Sequence, residues 1–148
     1  EYLSYMKKMQ KFMKKFGMKT LNILDGEQNP KKEIVEEMSK FSEAIFYYPY
    51  GNYAGWKGKI EFVNDNSAVI GGRHRLWSDF NGPKELAEKL NTYSNDINSS
   101  DGYSLIPVHV WSEDYGKVLE TYDLLDKEKV EVLGLDEFVK KILKNVKH

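Results

Sequence analysis

Four short stretches carry residue types that can do chemistry together. Asp25 and Glu27 form the first, and the aromatic run Tyr50, Tyr53 and Trp56 the second. Arg73, His74, Arg75 and Trp77 form the third, and His109, Trp111 and Glu113 the fourth. Carboxylates that face one another across a glycosidic bond can hydrolyse it, one as acid and one as base or nucleophile. Flat indole and phenol rings stack on the apolar face of a sugar ring, and Asp, Arg and His satisfy its hydroxyls. Asp25 is the leading candidate carboxylate, with Glu113 or Glu27 as its partner and Asp79 in a further candidate loop. Arg73 and His109 are suited to holding hydroxyls or developing charge. Tyr50, Tyr53, Trp77 and Trp111 supply the stacking surface.

Each candidate also has an ordinary role open to it. Asp25 can cap a turn or helix with about equal prior. His109 sits in Val108-His109-Val110, where a lone histidine is more often a satisfied interior residue than a base. Arg73 and Arg75 can pair with surface acids. Gly71-Gly72 allows a bend or a close backbone approach.

The four stretches gain weight from what precedes them. Apolar runs at Lys19–Leu24, Ala44–Tyr48, Ala68–Ile70 and Tyr103–Trp111 read as strands, and in parallel α/β sheets ligands gather outside the carboxyl ends. A further strand is expected at Val130–Leu133, and a hairpin pairs Lys59–Val63 with Ala68–Ile70 around Asn64-Asp65-Asn66-Ser67. Helical spacing marks Tyr2–Phe16, stopped by Gly17, with Leu3, Met6, Met9, Phe12, Met13 and Phe16 as its apolar stripe. That lysine-rich helix is expected to pack on the sheet, at about four to one over binding calmodulin or a membrane surface. Asn29-Pro30 opens a helix through Phe41, Pro83 one through Leu90, Ser112 caps another, and Asp136 starts the last. The expected fold is α/β, a mostly parallel sheet of about five strands with flanking helices and one hairpin.

Composition excludes other chemistries. There is no Cys in 148 residues, so disulfides, thiol catalysis and Cys-zinc sites are out. Three histidines show no ligand spacing, and no metal site is expected. A net charge of -1 offers no field for nucleic acid. No apolar stretch approaches the about 20 residues of a membrane span. Neither G-x-x-x-x-G-K nor G-x-G-x-x-G occurs, which disfavours a nucleotide cofactor, and no cofactor is expected.

Several stretches together resemble a known family. Leu76-Trp77 with Phe80, Pro83-x-x-Leu86-Ala87-x-x-Leu90-Asn91, and Gly102 through Ser112 are similar to the C-terminal region of the glycoside hydrolase-like family named for a G-x-G-Y-x-P motif. Tyr50-x-x-Tyr53-x-Gly55, Arg73, and Val130–Leu133 followed by Asp136–Val139 fit the same pattern, over roughly Met18 to Val146. The naming motif itself does not occur here. The resemblance implies a deacetylase-like or partial-barrel-like fold and a carbohydrate ligand handled by Asp25, Tyr53, Arg73, Trp77, His109 and Trp111. It also implies an extracellular or cell-envelope setting. Residues 1–148 are expected to form one domain, the C-terminal part of a longer protein whose other domains are its partners. A non-catalytic carbohydrate or cell-wall binding module, or a structural domain, would use the same residues without turnover.

Overall fold

The computed structural model describes residues 1–18, 22–24, 31–47, 58–74, 80–108 and 115–146. Within them the chain runs α1 (Tyr2–Lys14), β1 (Asn22–Leu24), α2 (Lys32–Ser39), β2 (Ala44–Tyr47), β3 (Ile60–Asn64) and β4 (Ser67–Gly71). Then come α3 (Pro83–Leu90), a 3-10 turn (Ser100–Gly102), α4 (Tyr115–Asp123) and α5 (Leu135–Asn145). The sheet order is β1-β2-β4-β3. β1, β2 and β4 are parallel, and β3 returns antiparallel along β4.

β2 and β4 are buried along their whole lengths, which explains why they read as unbroken apolar runs. Alternation sends Ile45, Tyr47 and Val69 to one face, against Val35 and Met38 of α2 with Leu3 and Met6 of α1. Ala44, Phe46, Ala68 and Ile70 face the other way, against Tyr103 and against Val139, Ile142 and Val146 at the end of the chain. The result is three layers, helix on sheet on helix. The hairpin forms as expected, its Asp65-Asn66 turn held by the Asn66 amide donating to Asn64 Oδ1 at 2.9 Å.

The structure departs from the sequence expectation in three places. Four strands form among the described residues, not about five. Pro107 lacks an amide to donate, which demotes the run 103–108, and the segment carries one backbone tie to the sheet end, Arg73 N to Leu105 O at 2.7 Å. Among the described residues Val130–Leu133 pairs with no neighbour, and the chain before it turns with Val130 N donating to Asp126 O at 2.8 Å. The sheet of the described residues is accordingly open, with β1 and β3 as its outer strands.

The other two departures concern helices. α2 starts at Lys32 with Lys31 as its extended N-cap; Asn29, Pro30 and Ser112 lie outside the described residues. α1 ends as predicted, with Gly17 at φ 68° and the amide of Met18 donating to Met13 O at 3.2 Å. Its stripe, however, divides. Leu3 and Met6 pack against the core and Gln10 donates to the carbonyl of Phe41, while Met9, Phe12 and Phe16, with Tyr5, are exposed. No helix among the described residues is long and apolar enough to cross a membrane.

Candidate functional site

β4 hands the chain to Gly72-Arg73-His74, and backbone hydrogen bonds fix this exit. The amide of Gly71 donates to Lys59 O at 2.8 Å, that of Gly72 to Tyr47 O at 2.9 Å, and that of Gly58 to Gly72 O at 3.2 Å. Arg73 therefore leaves the sheet with its direction set, beside the carboxyl end of β2.

Its side chain is buried and well engaged. Nη1 donates to the carbonyl of Asp101 at 3.0 Å and Nη2 to that of Ser100 at 3.5 Å. The Asp101 carboxylate stands 3.8 Å from Nη2, a contact open to water on the acid's side. The guanidinium also lies over the ring of Tyr93, 4.3 Å from its centroid. A buried cation needs such partners to offset its lost hydration. The arginine thus pins the Ser100–Gly102 turn and Tyr93 to the end of the sheet, and the surface-acid pairing weighed above is part of what it does.

His74 is buried next to it. Its Nε2 shares a hydrogen bond with the Tyr93 hydroxyl at 2.5 Å, its ring stacks on Tyr93 with centroids 5.7 Å apart, and Phe80 meets it edge-on at 4.8 Å. Burial pushes the Tyr93 phenol above its ordinary pKa, and the positive charge of Arg73 pulls the other way.

These residues border an open cleft of about 660 Å³, lined by Lys59, Ile60, Glu61, Arg73, Thr92, Tyr93, Ser94 and Asp101 among others. It offers two carboxylates, hydroxyls from Thr92, Ser94 and Ser100, an ammonium and an apolar patch, the mixture of directional donors and acceptors that a polyhydroxylated ligand requires. Among the described residues no group of three His, Asp or Glu could hold a metal ion.

Of the sequence-predicted site residues, Arg73 and His74 are described; Arg73 stands in this cleft, and His74 adjoins it through Tyr93. Asp25, Glu27, Tyr50, Tyr53, Trp77, His109, Trp111 and Glu113 lie outside the described residues, as do Trp56, Arg75 and Asp79. Sequence reasoning missed Tyr93, Asp101 and Glu61. Asn91–Gly102 reads as an exposed polar loop, and the one signal within it was an aromatic residue in an otherwise Asn- and Ser-rich run.

Fold and cleft together define a three-layer α/β domain with a polar site past the carboxyl end of a sheet strand. The chain belongs to the family described as "GxGYxYP putative glycoside hydrolase C-terminal domain", whose model matches residues 1–142. A crystal structure described as "a putative hydrolase from Bacteroides thetaiotaomicron VPI-5482" shares the fold, with a TM-score of 0.81 over 97% of this chain at 24% identity. This chain spans 29% of the length of that one. Among curated proteins none matches the sequence.

Proposed function

We propose that the chain is a carbohydrate-active domain of glycoside hydrolase type that takes an oligo- or polysaccharide at the strand ends. The observation that carries this reading is the Arg73 cleft, together with the family to which the chain belongs. In this reading Glu61, Asp101, Thr92 and Ser94 bind hydroxyls, and Arg73 positions Asp101 by holding the Ser100–Asp101 turn. Asp25 is the leading catalytic carboxylate, with Glu113 or Glu27 as partner. His109 steadies charge, and Tyr50, Tyr53, Trp77 and Trp111 stack on the sugar.

One observation favours a second reading, a module that binds sugar without cleaving it. Both carboxylates that line the cleft, Glu61 and Asp101, are exposed, and carboxylates so well hydrated are suited to accepting a hydroxyl's hydrogen bond. A general acid is instead tuned by an apolar pocket.

The test is a titration with a panel of oligosaccharides, following the indole N–H signals of Trp56, Trp77 and Trp111, with product analysis on the same samples. Saturable shifts support the site, and products identify an enzyme. Silence across the panel overturns both readings. Where products form, Asp25→Asn is expected to lower turnover by about 10²–10⁴-fold; unchanged turnover removes Asp25 from the chemistry.

A further inference from the structure

The polar cleft has an apolar continuation. A second space of about 650 Å³ opens among α3, α4, α5 and the chain segments 103–108 and 129–133. Leu90, Ile106, Val118, Val132, Leu133 and Phe138 are among its walls, whereas Tyr93 and Ser94 line both this space and the Arg73 cleft. A molecule seated beside Tyr93 therefore has polar partners on one side and hydrocarbon on the other.

Close-packed interiors leave few voids larger than a water molecule. A space of this size, faced mostly by hydrocarbon, falls in the range of small-molecule sites, about 300–1,000 Å³. Water filling it would find few partners, so an apolar group entering would release poorly bonded water. Apolar side chains also stand at its mouth, with Leu119 65% and Val132 60% exposed. Three helices and two chain segments wall the space, which suits a slender chain rather than a flat protein face.

From these two adjoining spaces we infer that the ligand is an amphipathic glycoside, its sugar in the Arg73 cleft and a covalently attached alkyl or acyl chain in the apolar space. This rests on the reading of the polar cleft as a sugar site and adds the substrate class to it. Tyr93, tied to Arg73 and His74, is the boundary between the two halves.

The test compares methyl, hexyl and octyl glycosides of glucose, galactose and mannose, each below its micelle concentration, with n-octanol alone, by titration calorimetry. For at least one sugar the methyl glycoside is expected to bind, and affinity to rise several-fold per methylene, toward a ceiling of roughly fourfold. The octyl compound is then at least about a hundredfold tighter than the methyl one and tighter than octanol. Leu119→Asp and Val132→Asp, both at exposed positions where folding tolerates charge, should remove most of this gain and leave methyl glycoside affinity unchanged. Methyl and octyl compounds binding equally would overturn the inference and leave the sugar site standing. Octyl compounds binding no better than octanol, with methyl compounds silent, would overturn the sugar reading and the inference with it.

Discussion

The guanidinium carbon of Arg73 lies 4.3 Å from the centroid of the Tyr93 ring. Nineteen residues of chain, including all of α3, lie between the two in sequence. Their contact joins the end of the sheet to the loop that carries the far wall of the cleft. A buried arginine bound to loop carbonyls and an aromatic ring makes the cleft's shape a property of the fold.

Two substitutions separate the bonds made by Tyr93. Tyr93→Phe keeps the ring over Arg73 and removes the hydroxyl that meets His74, an expected cost of about 1 kcal/mol for one half-buried hydrogen bond. Tyr93→Ala also removes the cation–π contact, worth about 0.5–2 kcal/mol, along with the packing of the ring. Urea unfolding should rank wild type above Phe above Ala. Equal midpoints for Phe and Ala would show that the ring contributes nothing beyond its hydroxyl.

The same tyrosine gives a pH signature. Its pKa is raised from the ordinary 10.0, burial being the larger cause. The folded state thus holds the proton more tightly than the unfolded chain. The associated stability is fully present below pH 10 and is lost as pH rises through the folded-state value. Ultraviolet titration should find one phenol ionising later than the exposed tyrosines, absent in Tyr93→Phe. A titration in which that variant loses an ordinary phenol instead would refute the assignment.

Gly58 is the backbone counterpart of this arrangement. It sits at φ 70°, and a Cβ there would lie 2.8 Å from Nε and 3.3 Å from Cγ of Arg73. Gly58→Ala incurs the left-handed penalty of about 1–2 kcal/mol and also displaces the arginine from the turn it holds. The expected outcome is a lower melting temperature together with weaker sugar binding. If stability falls while affinity is untouched, the position of Arg73 is not what shapes the cleft.

How much of this was legible in the sequence differs from element to element. α1, α3 and α5 announce themselves because helical spacing is local, and Pro83 and Gly17 mark an end of their helices unaided. The hairpin is local too. Among the described residues, 103–108 of the strand expected at 103–111 and the run 130–133 form no strand, because a strand exists only by pairing. Apolar alternation supplies the side chains but not the neighbour, and Pro107 removes a donor. Arg73 was readable because it follows an apolar run and two glycines. Tyr93 and Asp101 reach it from 20 and 28 residues downstream in a polar loop, and no spacing rule connects such positions.

Electrostatics on the α2 side give a simpler test. Glu37 accepts from Lys40 and, at 3.1 Å, from Lys7 of α1. These hydrogen bonds hold its carboxyl below the ordinary 4.5, with Lys40 the larger influence. A lowered pKa contributes stability above the unfolded value that disappears as pH falls through the folded one. Carboxyl NMR titration should show Glu37 moving back up in Lys40→Ala, by less in Lys7→Ala, and in high salt, which screens exposed pairs. No movement in either variant would refute the cause.

The divided stripe of α1 sets the last expectation. Sequence spacing placed Met9, Phe12 and Phe16 on the same inward stripe as Leu3 and Met6, because an apolar arc on a helix does not say how wide its contact will be. The sheet covers one side of that arc. Phe12 and Phe16 remain 59% and 66% exposed, packed against one another with centroids 5.1 Å apart. Phe12→Gln and Phe16→Gln should each change stability by no more than about 0.5 kcal/mol, as exposed substitutions do. Met38→Ala, at a position with 0% exposure between α2 and the sheet, should cost about 2–5 kcal/mol through the cavity it leaves. Urea midpoints for the three variants decide the matter. A loss at Phe12 comparable to that at Met38 would mean that the outward side of α1 is covered in solution.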